Sequence, residues 1–190
     1  MSPDLTFQPI VEHASALHRR AVSCGHRYAI ALHGEPGWCT DLCRQLIDSH
    51  SPDKGVWISS RQVNPFPEFP GTCLPPNQSR HHLGREFTCA VLDFHDGVDV
   101  DALGIIGSTI QAGGILLMLF PDYSSSPGKK HPGNSPYLGR LNARLGVHDV
   151  LQIRESQGLT VPAYLARSPL GKFPGLTKTG TPTADQELAV

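Results

Sequence analysis

Residues 115–120, ILLMLF, are apolar at every position. A strand that alternates apolar and polar side chains can leave one face in water. One that is apolar throughout must be buried on both faces, which places it inside a parallel sheet covered by helices on either side. The rest of the chain has to supply those helices and the neighbouring strands.

It does so in a β-α-β order. Val11, Ala14, Leu17, Ala21 and Cys24 recur at steps of three and four, which predicts an amphipathic helix over 11–24, ended by Gly25. RYAIALHG predicts a strand closed by Gly34. A helix follows from Pro36, which suits a first helical turn because its missing N–H costs nothing there; Trp38, Leu42, Gln45 and Leu46 lie at helical spacing. GVWISS (55–60) is the next strand, parallel to the first across a right-handed crossover. The proline-rich stretch 61–80 has no usable period and is expected to be a long loop. TCAVLDF predicts a buried strand, Asp99 an N-cap for the helix after it, and Gly113-Gly114 the end of that helix. A helix over 136–146 and a strand within VHDVLQIRE complete the pattern. The fold class is therefore α/β, a Rossmann-like three-layer arrangement with a mainly parallel sheet. We expect one domain over 1–167. Residues 168–183, rich in Pro, Gly, Lys and Thr, read as a linker, and TADQELAV reads as the start of a further helix at which the chain is interrupted.

Composition narrows the function. With 16 Lys+Arg against 17 Asp+Glu there is no broad basic face of the kind a dedicated nucleic-acid domain uses. The charge is unevenly spread: residues 1–123 hold 8 basic and 13 acidic side chains, and 124–190 hold 8 and 4. A polyanion contact belongs in the C-terminal third, at Lys129 and Lys130 and at Arg140 and Arg144, which share one helix face at i and i+4. A merely solvated helix face is the commoner use of such a pair. No apolar run reaches the ~20 residues of a membrane-spanning helix and no signal pattern opens the chain, so a cytoplasmic protein is expected. Its five cysteines, with no CxxC, are expected to be buried thiols.

Motifs for chemistry are sparse. GxxxxGK[ST] is missing, and LGKFPGLTKTG has its letters without its spacing; HGEPGW has two glycines three apart and no GxGxxG. No GxSxG marks a nucleophile, and Cys39 and Cys43 lack a second ligand pair for zinc. Sheets of this class bind ligands at the carboxyl ends of their strands, which here means Gly34, Ser59-Ser60, Asp93, His95 and Asp96. These residues either form a small-molecule, phosphate or metal site, or only satisfy a turn and cap the next helix.

Several blocks taken together are more specific than any of these motifs. GEPGW (34–38), VWISS (56–60), LGREF (83–87), VLDFHDGVDVDALG (91–104), STIQAGGILLMLFP (108–121), SPYLGRLNARL (135–145) and TPTADQELAV (181–190) occur in one order across nearly the whole chain. In these blocks the chain resembles the N-terminal domain of bacterial tRNA(Met) cytidine acetyltransferases. The resemblance implies a Rossmann-like domain without a phosphate-binding loop, ahead of a RecA-like helicase module and an acetyltransferase module. Together these would use ATP, Mg and acetyl-CoA to make N4-acetylcytidine at the wobble position of elongator tRNA(Met). It also implies that residues 168–190 lead into the helicase module, that this chain holds no cofactor or catalytic residue of its own, and that its partners are those modules and tRNA, with no membrane. The alternatives are a stand-alone small-molecule or nucleotide binder and a degenerate remnant without ligand.

Overall fold

The computed structural model describes residues 7–61, 66–122, 136–145 and 150–157. They form one six-stranded, all-parallel sheet with helices on both faces. The strands are β1 (Tyr28–His33), β2 (Gly55–Ile58), β3 (Gly71–Leu74), β4 (Phe87–Asp93), β5 (Ile110–Phe120) and β6 (Val150–Arg154), in the spatial order β3-β2-β4-β5-β1-β6. The helices are α1 (Gln8–Cys24), α2 (Pro36–His50), α3 (Val100–Ser108) and α4 (Pro136–Leu145). β1 and β2 are parallel as expected but not adjacent, because β5 and β4 lie between them.

Alternate residues of each strand feed two separate cores. Ile30, Leu32, Trp57, Cys89, Val91, Leu117 and Leu119 point to α1 and α2. Ala31, Val56, Ile58, Ala90, Leu92, Met118 and Phe120 point to α3 and α4. β5 thus fills both, as its unbroken apolar run requires. α1 begins at Gln8, ahead of the predicted Val11, because Pro9 serves its first turn; it ends at Gly25, whose φ of 67° a side chain would resist. In α2 the buried stripe is Cys39, Leu42, Cys43, Leu46 and Ile47, whereas Gln45 is exposed. Burial pushes the Cys43 thiol well up and that of Cys89 to about 12, so both stay protonated.

Two expectations need correction. The stretch 61–80 is not all loop: Gly71–Leu74 is an edge strand, and a 3-10 helix covers Pro76–His82. The strand escapes a hydropathy reading because it is short and half in water. Glycine chemistry specifies it instead, since a Cβ on Gly71 would stand 2.0 Å from the Gly55 carbonyl oxygen. The loop before it also returns Phe66 and Phe69 to the core, at ring distances of 6.2 and 5.7 Å from Trp57. The second correction is that α3 ends at Ser108, and Gly113-Gly114 lie inside β5. The positive φ foreseen there is real, 81° at Gly113, but it serves an irregularity in the strand, where the Gly113 amide donates to His26 O at 2.6 Å. The predicted N-cap does form, with Asp99 Oδ1 accepting from the Ala102 amide at 2.8 Å.

Residues 158–190, with the predicted linker and terminal helix, lie outside the described residues. Gly71→Ala sets a methyl group against backbone that cannot rotate away. We expect a loss of about 2 kcal/mol in urea unfolding, with Gly25→Ala costing less because nothing stands within 4 Å of that position.

Candidate functional site

The carboxyl ends of the strands are held together by one buried carboxylate. Asp93 ends β4 with its side chain 2% exposed. Its Oδ2 accepts from the Ser59 hydroxyl at 2.8 Å and from Arg61 Nε at 2.9 Å, with Arg61 Nη2 on the same oxygen. Its Oδ1 meets His95 twice, at the amide (3.2 Å) and at ring Nδ1 (2.7 Å). The far nitrogen of that ring, Nε2, lies 3.1 Å from the Gly34 carbonyl oxygen. Both ring nitrogens face acceptors, so the two bonds coexist only when the ring carries two protons. Burial alone would raise the Asp93 carboxyl; the hydrogen bonds from His95, Arg61 and Ser59 outweigh it and lower the group to about 2.

The turn from β1 into α2 is the place where a phosphate sits in nucleotide-binding sheets of this type, gripped by free amides. Here the first two amides of the turn have other uses. Gly34 N–H donates to Phe120 O at 3.0 Å, and Glu35 N–H donates to the Glu155 carboxylate at 2.7 Å. Pro36 has no N–H. Gly34 also allows Glu155 and Trp38 to close over the turn, since a Cβ there would lie 2.7 Å from Glu155 Oε2 and from a Trp38 ring carbon. Among the described residues Glu35, Asp93, Asp96, Asp99, Asp122 and Glu155 stand around these strand ends against Arg61 and Arg154, a balance that disfavours the triphosphate of ATP.

Two cavities flank this point. One of about 510 Å³, on the α3 side, is lined by Ser60, Asn77, Asp93, Asp96, Asp99 and apolar walls that include Ile58, Leu92 and Phe94. The other, about 250 Å³, lies at the start of α2 between Thr40, Asp41, Trp57, Ser59, Arg61 and Asp93. Of the residues singled out from sequence, Ser60, Asp93 and Asp96 thus share the larger cavity, while Gly34 and His95 meet each other behind Asp93. Among the described residues no three His, Cys, Asp or Glu side chains converge as a metal site. Arg61 and Glu155 were missed, and neither carries a motif: each is a single charged residue just past a strand end. Arg140 and Arg144 are exposed on α4 as expected; Lys129 and Lys130 lie outside the described residues.

His33, at the end of β1, is 1% exposed and stacks on Phe120 at 5.1 Å. Burial chiefly, and Arg154 in addition, lower its ring to about 4, against a smaller opposite pull from Asp122 and Gln152. Neither ring nitrogen makes a hydrogen bond of full geometry among the described residues.

Residues 1–155 match the model of a family described as tRNA(Met) cytidine acetyltransferase TmcA, N-terminal. The tRNA(Met) cytidine acetyltransferase TmcA of Nitrosococcus halophilus is 30% identical over 168 residues, covering 82% of this chain and 21% of that protein. The protein of the same name from Pectobacterium atrosepticum is 35% identical over 99 residues, 52% of this chain and 13% of its own length. The one from Yersinia pestis is 26% identical over 176 residues, 86% and 24%. The chain therefore spans less than a quarter of the length of these relatives.

Two pH effects follow. Unfolded chains protonate His33 near 6.5 and the folded protein only near 4, so stability falls as pH drops across that interval, by about 3 kcal/mol for this residue. Asp93 ionises near 3.8 when unfolded and near 2 when folded, so its contribution disappears over that lower range. Urea melts at pH 7, 5, 4 and 3 should show both steps, and His33→Phe should shrink the upper one, leaving the part due to His18, His50 and His82, which burial also lowers. Asp93→Asn, which leaves the half-buried Arg61 against a neutral amide, should cost about 2 kcal/mol at pH 7 and abolish the lower step.

Proposed function

This chain belongs to the family of tRNA(Met) cytidine acetyltransferase N-terminal domains, and we propose on that premise that it is the accessory domain of an enzyme making N4-acetylcytidine at the wobble position of elongator tRNA(Met). In this reading the acetyl-CoA, ATP and Mg sites belong to helicase and acetyltransferase modules, in cis or separately encoded. The domain packs against those modules and contacts tRNA through Arg140, Arg144, Lys129 and Lys130. It takes no cofactor and works in the cytoplasm. The observation that carries the accessory role is the β1–α2 turn, whose Glu35 amide is engaged by the Glu155 carboxylate and so is not offered to a phosphate. Among the described residues no helix is long and apolar enough to cross a membrane.

The 510 Å³ cavity favours a second reading, a small-molecule site at Ser60, Asp93 and Asp96. Its three aspartates and apolar walls suit an uncharged or cationic ligand better than a phosphate.

Thermal shift separates the two. A ligand at a hundredfold its dissociation constant stabilises by about 2.7 kcal/mol. We expect no such shift with ATP or acetyl-CoA; a shift with S-adenosylmethionine that Asp96→Asn removes would favour the second reading. For the first, tRNA binding by the 190-residue chain should weaken linearly with log salt, and Arg140→Gln with Arg144→Gln should lower that slope by about two. Binding that ignores both salt and these substitutions would sink it.

A further inference from the structure

The opposite end of the sheet has the opposite charge. β4, β5, β1 and β6 are consecutive in the sheet. In register Phe87 stands beside Ile110, Tyr28 beside Ile115 and Val150 beside Ala29, so these strand starts form a stepped line about 14 Å across the sheet at ~4.8 Å per strand. Cations that are far apart in sequence gather along it. Arg85 lies two residues before β4, Arg27 one residue before β1, and Arg144 in the last turn of α4, the helix that leads to β6. All three are exposed.

Arg27 is held in place. Its Nη1 donates to the carbonyls of Gly107 at 3.2 Å, Ser108 at 3.5 Å and Ile110 at 3.3 Å, so one guanidinium edge seats on the end of α3 and the start of β5. The rest of the planar group is left for an external acceptor, and a fixed guanidinium loses less entropy when it binds one. Arg85 and Arg144 form no ion pair among the described residues. Lys54, just before β2, extends the row by one more strand. Two carboxylates interrupt it: Glu86, and Asp53, whose Oδ1 accepts from the Thr88 hydroxyl at 3.0 Å.

We infer that this row, Lys54, Arg85, Arg27 and Arg144, is a track for the phosphate backbone of RNA, running along the amino ends of the strands and continuous with the α4 contact. The inference rests on the proposed tRNA reading for the identity of the polyanion; the row itself is independent of it. In open parallel sheets ligands ordinarily bind at the carboxyl ends. In this domain the described carboxylates there outnumber Arg61 and Arg154, which favours approach of a phosphate chain to the other end. A row of this length spans several successive phosphates of one strand.

The test measures binding of elongator tRNA(Met) by the 190-residue chain between 50 and 200 mM salt. The variants are Arg85→Gln, Arg140→Gln with Arg144→Gln, and Arg44→Gln, an exposed position on α2 away from the row. Arg27 is not neutralised, because it also holds the end of α3; the charge-keeping Arg27→Lys, checked for unchanged melting, serves as the second probe. Arg85→Gln should weaken binding several-fold and lower the salt slope by about one, Arg27→Lys should weaken it with a smaller change of slope, and Arg44→Gln should change neither. If only the α4 pair matters, the track is wrong and the tRNA reading stands. If Arg44→Gln weakens binding as much as Arg85→Gln, the effect is one of net charge and the track is wrong. If no substitution changes binding, or none is detected, both fall.

Discussion

A carboxylate with 2% of its side chain exposed is the constraint on which the open end of this sheet depends. Leaving Asp93 charged and unpaired there would cost several kcal/mol. Arg61, Ser59 and two groups of His95 make the position tolerable, and they arrive from the far end of β2 and the turn after β4. Through His95 the network reaches Gly34, and the turn after Gly34 is clamped from β6 by Glu155. The ends of β2, β4, β1 and β6 are thus tied by internal charges and polar groups. In nucleotide-binding sheets of the same architecture a bound phosphate takes part in that role.

That substitution determines what else the end of the sheet can do. An anion brought to the β1–α2 turn would compete with a carboxylate already bonded at 2.7 Å and would meet the field of its acidic neighbours. The larger cavity beside Asp93 inherits the same sign through Asp96 and Asp99, even though the main-chain amides at the start of α3 are of the kind that attract anions elsewhere; Asp99 spends its own oxygen on one of them. The described side chains of that larger cavity favour neutral or cationic groups.

How much of this could be read beforehand depends on whether a residue acts locally or at long range. β1, β2, β4, β5, α1, α2 and the Asp99 cap follow from periodicity and cap chemistry within a few residues, and they are where the pattern put them. β3 did not show itself because its pairing rests on two glycines sixteen positions apart, Gly55 and Gly71, whose backbones approach too closely for any side chain. Gly113 was legible as a positive-φ residue but not as part of a strand, since glycine ends helices and kinks strands for the same steric reason. Asp93, His95 and Asp96 stood out as polar residues after an apolar run. Their partners did not: Arg61 is 32 residues from Asp93 and Glu155 is 120 from Glu35, and single charges in loops carry no period.

β6 lies beside β1 at the edge of the sheet, and Glu155 follows it. β6 supplies Leu151 and Ile153 to the core beneath α1 and α2, and without it β1 would have an open edge and an exposed apolar face. Glu155 then follows within one turn of the strand and engages the β1–α2 turn. The family match ends on this same residue. Among the described residues the Glu155 carboxylate completes the polar network at the strand ends, as Leu151 and Ile153 complete the apolar core below it.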